Sequence, residues 1–273
     1  MIIDGHAHAC GIYLEAESIL ENLKKEGIDK VILSAGEHGS KTTYSLPALG
    51  RVFKTSKLIY INNQLTNYII KKSNVLEYLQ EENIRLAQMA QLHKEHILNT
   101  YWVNMLEDDC LVKLKQFEAE WSFALIKLHQ CWTPFDVQDM RCSALFSYAG
   151  KIHKPIFIHM STQEQVRKFI KITHEYPDTI FIVAHLIGIE EFNKNNTGEN
   201  IYFDISCPEL NSMNMLKRAY DLVGAEHIIL GSDTPYGKHN ISKAIKKLEK
   251  LELTKEQKEC ICGKNMAKLL NLS

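Results

Sequence analysis

Two histidines stand two residues apart near the start of the chain, His6 and His8 in MIIDGHAH, behind the apolar pair Ile2 and Ile3. On an extended strand, side chains two apart point to the same side, at a rise of roughly 3.3 Å per residue. Both imidazoles would then face one point in space and could ligate a cation there. H-x-H arises by chance, so its value depends on what other segments bring to the same point. Five further residues qualify: His159 in PIFIHMS, His185 in IFIVAHLIG, Asp233 in HIILGSDTP, and Lys127 with His129, which share parity in FALIKLHQ. Each lies at or near the end of an apolar run, where an imidazole or a charge is costly unless paired or bound to metal. Imidazoles with one carboxylate suit Zn²⁺, Fe²⁺, Mn²⁺ or Co²⁺, whereas Mg²⁺ and Ca²⁺ favour oxygen donors.

The elements that must position these groups are legible as eight short apolar runs, at 1–8, 30–38, 97–105, 123–130, 155–161, 180–188, 201–208 and 227–235. Segments of helical spacing separate most of them. In 16–27, Ile19, Leu20 and Leu23 make one face and Gly27 stops it; 164–177 ends at Pro177 and 212–224 at Gly224. This alternation predicts parallel strands joined by right-handed crossovers, most simply an α/β fold of the (β/α)8 TIM-barrel kind, residues 1–273 forming a single domain. An open doubly wound sheet is the alternative architecture, but no G-x-G-x-x-G follows the first strand and a Rossmann-type nucleotide site has no support. Active sites of such barrels lie at the C-terminal ends of the strands, where the candidate residues fall. The interval 39–96 is too long for a plain connection and reads as an active-site loop with helices inserted after strand two.

A formal net charge of −1 implies no electrostatic pull toward nucleic acid or anionic membrane. Seven cysteines without framework spacing, no basic leader before a long apolar run and no 18-residue apolar stretch lead to the expectation of a cytoplasmic protein with reduced thiols. The lysine-rich stretch 241–259 keeps Ile245, Leu248 and Leu251 at helical spacing and reads as a solvated helix face. His93 and His96 lack the H-E-x-x-H order, and Cys260 and Cys262 lack a second cysteine pair, so neither pair reads as a metal site. Cys10 and Cys207 each follow a strand end and are candidates to line a pocket.

D-G-H-A-H at 4–8, the histidine ending strand five, A-H-L-I-G at 184–188 and G-S-D-T-P at 231–235, in that order, resemble the amidohydrolase superfamily. The likeness is strongest to its amidohydrolase-related branch, which also contains non-oxidative decarboxylases. I-K-L-H-Q in strand four and the terminal C-G-K-N-M-A-K-L-L-N-L, with Asn265 and Leu269, extend it over nearly the whole chain except about 39–96. The resemblance implies that His6, His8 and His159 hold one divalent metal, most simply Zn²⁺ with Mn²⁺, Fe²⁺ or Co²⁺ as alternatives, and that Asp233 is a further ligand. It also implies that His185 contacts the activated water or a substrate oxygen. Asp233 could then take the water's proton and pass it to a leaving group, while the metal or His185 polarises the scissile carbonyl.

Some members of the superfamily bridge two metals with a carboxylated lysine on strand four. At Lys127 an ammonium that binds an anionic substrate, or an ion pair with Asp204, is the favoured reading. His129, Arg51, Trp132, Tyr236 and His239 are candidates for the substrate pocket, Arg51 as the grip for a substrate carboxylate. The expected function is a metal-dependent hydrolase that turns a metal-activated water on a small ester, lactone or amide. The alternatives are a metal-dependent non-oxidative decarboxylase of an aromatic or enol acid, and a catalytically silent metal-binding barrel serving as a binding protein. A metal-dependent nuclease of the TatD kind would carry G-E-I-G-L-D where this chain has A-L-I-K-L-H-Q. The expected partners are a small-molecule substrate and a second copy in a homodimer, with neither nucleic acid nor membrane.

Overall fold

Each of the eight apolar runs forms a strand, hydrogen-bonded in parallel to the next in sequence: β1 (Ile3–His8), β2 (Lys30–Ser34), β3 (Ile97–Trp102), β4 (Leu125–His129), β5 (Ile156–His159), β6 (Phe181–Val183), β7 (Ile201–Asp204) and β8 (Ile228–Ile229). The structure is a computed structural model and describes residues 1–42, 56–70 and 75–272. The ring closes between β1 and the chain just after β8. Gly5 N–H donates to Leu230 O at 2.8 Å, Asp233 N–H to His6 O at 2.7 Å and His8 N–H to Thr234 O at 2.7 Å. Gly5 is required at this seam, because a Cβ there would lie 2.7 Å from Ile229 Cγ2 and 2.8 Å from Leu230 O. The result is a (β/α)8 TIM barrel.

The surrounding helices are α1 (Ala16–Glu26), α2 (Ser56–Ile70), α3 (Leu79–Leu92), α4 (Cys110–Glu120), α5 (Met140–Lys151), α6 (Gln163–Thr173), α7 (Met213–Val223), α8 (Asn240–Leu248), α9 (Lys255–Glu259) and α10 (Asn265–Leu269). Local chemistry sets several of their ends. Gly27 terminates α1 at φ 69, and the Thr162 and Ser212 side chains accept from Gln165 N–H and Met215 N–H to start α6 and α7. α6 stops at Thr173, short of Pro177, because the Asn200 side-chain amide donates to the carbonyls of Thr173, Tyr176 and Thr179 and holds that segment as a turn. The lysine-rich stretch divides into α8 and α9, the second opened by a Thr254–Gln257 capping box.

Two apolar cores result. The larger lies between barrel and helices; the smaller fills the lower barrel, where Ile32, Leu125, Phe157 and Ile182 meet Met266 of α10. Above that floor the inward positions turn polar, with Ser34, Thr100, Lys127 and Asp204 all buried. Of the two helices between β2 and β3, α3 is the barrel's own: Leu86, Ala87 and Ala90 are buried, and Asn83 exchanges hydrogen bonds with the Trp102 backbone at 2.9 and 3.0 Å. α2 instead crosses the mouth. Asn63 Nδ2 donates to Met160 O and Asn67 Nδ2 to Cys131 O, both at 3.1 Å, so it is tied to the loops after β5 and β4. Among the described residues no helix is long and apolar enough to cross a membrane.

Candidate active site

On the β1–β8 side of the mouth, His6 and His8 place their ring centroids 4.8 Å apart, and Asp233 Oδ1 lies 3.2 Å from His6 Nε2 and 3.4 Å from His8 Nε2. Asp233 reaches this position with φ 62, a conformation that costs a non-glycine residue energy and that its backbone bond to His6 O holds in place. Gly231, two residues earlier, leaves no room for a side chain: a Cβ would stand 2.6 Å from Asp204 Oδ1. His8 Nδ1 donates to Ala35 O at 2.7 Å, which puts its proton on Nδ1 and turns the Nε2 lone pair toward Asp233. Burial, reinforced by Lys127, holds His6 well below the ordinary imidazole range, so its ring is neutral. Despite its burial, the Asp233 carboxyl is held well below its ordinary range by the groups around it, so it is ionised. Two imidazoles and a carboxylate with atoms within 4.8 Å of one another are a donor set that fits a divalent cation.

On the β4–β5 side, strand register sets His129 against His159, whose rings stack 4.0 Å apart. Cys131 N–H donates to His129 Nδ1 at 3.2 Å, and Cys131 Sγ lies 3.8 Å from His159 Nδ1. Burial lowers both imidazoles and raises the Cys131 thiol, so the rings are neutral and the sulfur keeps its proton. His185 links the two sides, its ring 5.1 Å from His159 and 5.8 Å from His6. A cavity of about 370 Å³ opens above these groups. His8, His129, His159, His185 and Asp233 form its base, Trp132 and Tyr236 its sides, and Ile59, Asn62 and Thr66 of α2 its cover. A larger hollow, about 490 Å³, lies at the opposite end of the barrel between β3 and α10 and contains none of these groups.

The amidohydrolase family profile matches residues 79–272. The chain belongs to the amidohydrolase family. No curated protein sequence is significantly similar to it. Among solved structures, the chain is similar to a dihydroxybenzoic acid decarboxylase from Polaromonas sp. JS666 with bound manganese and the inhibitor 2-nitroresorcinol (TM-score 0.67, 12% identity, 99% of this chain and 97% of the other). It is also similar to 5-carboxyvanillate decarboxylase from Sphingomonas paucimobilis (0.66, 10%, 100% and 99%). A third likeness is to 4-oxalomesaconate hydratase from Rhodopseudomonas palustris (0.62, 15%, 100% and 96%). At these identities the likeness is one of fold.

The barrel thus gathers His6, His8, His129, His159, His185 and Asp233 at one mouth, with Trp132 and Tyr236 beside them; the Tyr236 ring is 5.3 Å from His8. Other expectations need correction. Lys127 is fully buried beneath the site rather than in the cavity wall, with Nζ 3.2 Å from His6 Nε2 and 4.1 Å above the Phe157 ring. Burial lowers its pKa to about 7. It makes no ion pair with Asp204, whose oxygens are taken by Ser206 and the His185 backbone. His239 is an exposed partner of Glu26, 2.9 Å away, and lies outside the cavity. Cys10 and Cys207 are buried and do not line it. Arg51 lies outside the described residues. Sequence reasoning missed Trp102, stacked on His129 at 5.4 Å, and Ser206, whose hydroxyl is 2.8 Å from His185 Nδ1. The same-side parity of Asp204 and Ser206 at the end of β7 was the available signal.

Proposed function

We propose that the protein is a metal-dependent hydrolase of a small ester, lactone or amide. The observation that carries this reading is Asp233 Oδ1 within 3.4 Å of two histidine Nε2 atoms, at the base of a cavity that His159 and His185 also line. His6, His8, His159 and Asp233 would hold the cation, one Zn²⁺ by ligand type with Mn²⁺, Fe²⁺ or Co²⁺ as alternatives. Such an ion, when bound, makes water acidic enough to be a nucleophile near neutral pH and stabilises charge on a reacting oxygen. Asp233, already ionised, accepts the proton of the attacking water and returns it to the leaving group. Trp132, Tyr236 and the cover helix α2 shield the reacting atoms from bulk water. A cavity of about 370 Å³ is at the small end of ligand pockets and suits a substrate of about one ring.

The second reading is non-oxidative decarboxylation of an aromatic or enol acid, with Asp233 delivering a proton to carbon. Two decarboxylases with the same fold support it. One experiment separates the readings. Protein loaded with Zn²⁺ or Mn²⁺ is assayed on nitrophenyl esters, lactones, anilides and hydroxybenzoates, with carbon dioxide measured alongside. Hydrolysis without carbon dioxide is expected; carbon dioxide from hydroxybenzoates alone would replace the first reading by the second. Inertness across the panel, with about one equivalent of metal bound, would favour a silent metal-binding barrel.

A further inference from the structure

His185 follows β6 with φ 53, a left-handed conformation unusual for a residue with a side chain, so its surroundings must hold it. Its backbone N–H donates to Asp204 Oδ2 at 3.0 Å. Ser206 N–H donates to Asp204 Oδ1 at 3.0 Å, and Ser206 Oγ donates to Asp204 Oδ2. Three donors therefore converge on a fully buried carboxyl, the pattern of an ionised group that can only accept. Burial raises this carboxyl above its ordinary range, and the bonds from Ser206 and the His185 backbone oppose the rise.

A hydroxyl has one proton. With that proton committed to Asp204, Ser206 Oγ can only accept at His185 Nδ1, 2.8 Å away. The Ser206 carbonyl oxygen, 3.4 Å from the same nitrogen, can likewise only accept. Both contacts require a proton on Nδ1.

We propose that Asp204 and Ser206 form a positioning relay that fixes His185 as the Nδ1–H tautomer and presents its Nε2 lone pair to the cavity. His185 is then a proton acceptor. A ring in this tautomer has no Nε2 proton to offer a carbonyl oxygen. When a substrate hydroxyl gives its proton to Nε2, the bonding pair stays on that oxygen, while the attacking water's proton goes to Asp233. The imidazolium so formed keeps its Nδ1–H on Ser206, whose hydroxyl connects it to the Asp204 charge. A protonated Asp204 would instead donate to Ser206, turn the hydroxyl proton toward Nδ1 and reverse the ring.

The assignment rests on His185 acting in the proposed reaction, but the test reads the ring itself. Zinc-loaded protein labelled with ¹⁵N-histidine is examined by long-range ¹H–¹⁵N correlation, with His185→Gln identifying the signals. The expected spectrum has a protonated Nδ1 and an unprotonated Nε2. Ser206→Thr keeps this pattern, whereas Ser206→Ala loses the Nδ1–H preference and lowers kcat about 10–100-fold, the range for groups that orient a working histidine. A wild-type ring protonated on Nε2, an Nε2 ligated to zinc, or a folded Ser206→Ala that retains Nδ1–H would overturn the relay. The wild-type spectrum decides the tautomer even if Ser206→Ala does not fold. Activity with the wrong tautomer would fault the relay alone; the right tautomer in a protein that hydrolyses nothing would fault the hydrolase reading alone.

Discussion

Two trios of nitrogen, oxygen and sulfur donors face each other across the mouth, and they differ in what their donor atoms already do. In His6, His8 and Asp233, the His8 proton is drawn outward to Ala35 O, and both Nε2 atoms converge on an ionised carboxylate. In His129, Cys131 and His159, His129 Nδ1 already accepts the Cys131 N–H, and the thiol is held protonated by burial. The first trio keeps the His8 lone pair and the Asp233 carboxylate for a cation, with Lys127 Nζ, 3.2 Å from His6 Nε2, as a competitor for the third position; the second is prepared to hold His159 in place by stacking and by the sulfur at Nδ1. Donor type and proximity, which the two share, do not make a metal site. What decides is which lone pairs the surrounding hydrogen bonds leave free.

The largest effect that tests this contrast is at Asp233. Asp233→Asn should lower turnover on any responsive substrate by about 10²–10⁴-fold, the range for loss of a general acid–base group; wild-type rates in this variant would remove Asp233 from the chemistry. His8→Ala should weaken cation binding at least about 100-fold, the upper range for groups that merely support a ligand, as elemental analysis after dialysis would show. Full occupancy in that variant would break the comparison. Gly231→Ala, which drives a methyl into Asp204 and Ser206, should cost about 1–3 kcal/mol in denaturant unfolding. Asn67→Ala, which frees α2 from Cys131 O, should cost about 1 kcal/mol and raise KM more than it lowers kcat. The smallest effect is expected at Cys131→Ser, with metal content unchanged. Loss of an equivalent of metal there would show that the second trio is also a ligand set.

The barrel was legible because strand signals are local: an apolar run with a polar end is complete within eight residues or so. His6 and His8 were legible for the same reason, since parity along one strand needs no knowledge of any other. Ser206 obeys the same parity with Asp204, yet a single uncharged hydroxyl at a strand end carries no cost that would single it out. The partner of Lys127 was not readable, because it depends on which side chains meet across the barrel: Asp204 is turned toward the β6 end, leaving His6 as the neighbour. Helices were expected somewhere in 39–96, but the place of α2 over the mouth depends on Asn63 and Asn67 reaching carbonyls 97 and 64 residues away. The early stop of α6 likewise depends on Asn200, beyond the reach of any local window.

The seam between β1 and the end of β8 has a thermodynamic consequence. Asp4 and Ser232, bonded across it at 2.8 Å, are 228 positions apart in the chain. An ion gripped by His6, His8 and Asp233 would act as a clasp between β1 and the segment after β8, removing freedom from an enormous loop and favouring the closed ring by mass action. Melting temperature should therefore climb with the concentration of added Zn²⁺, and His8→Ala should flatten that climb.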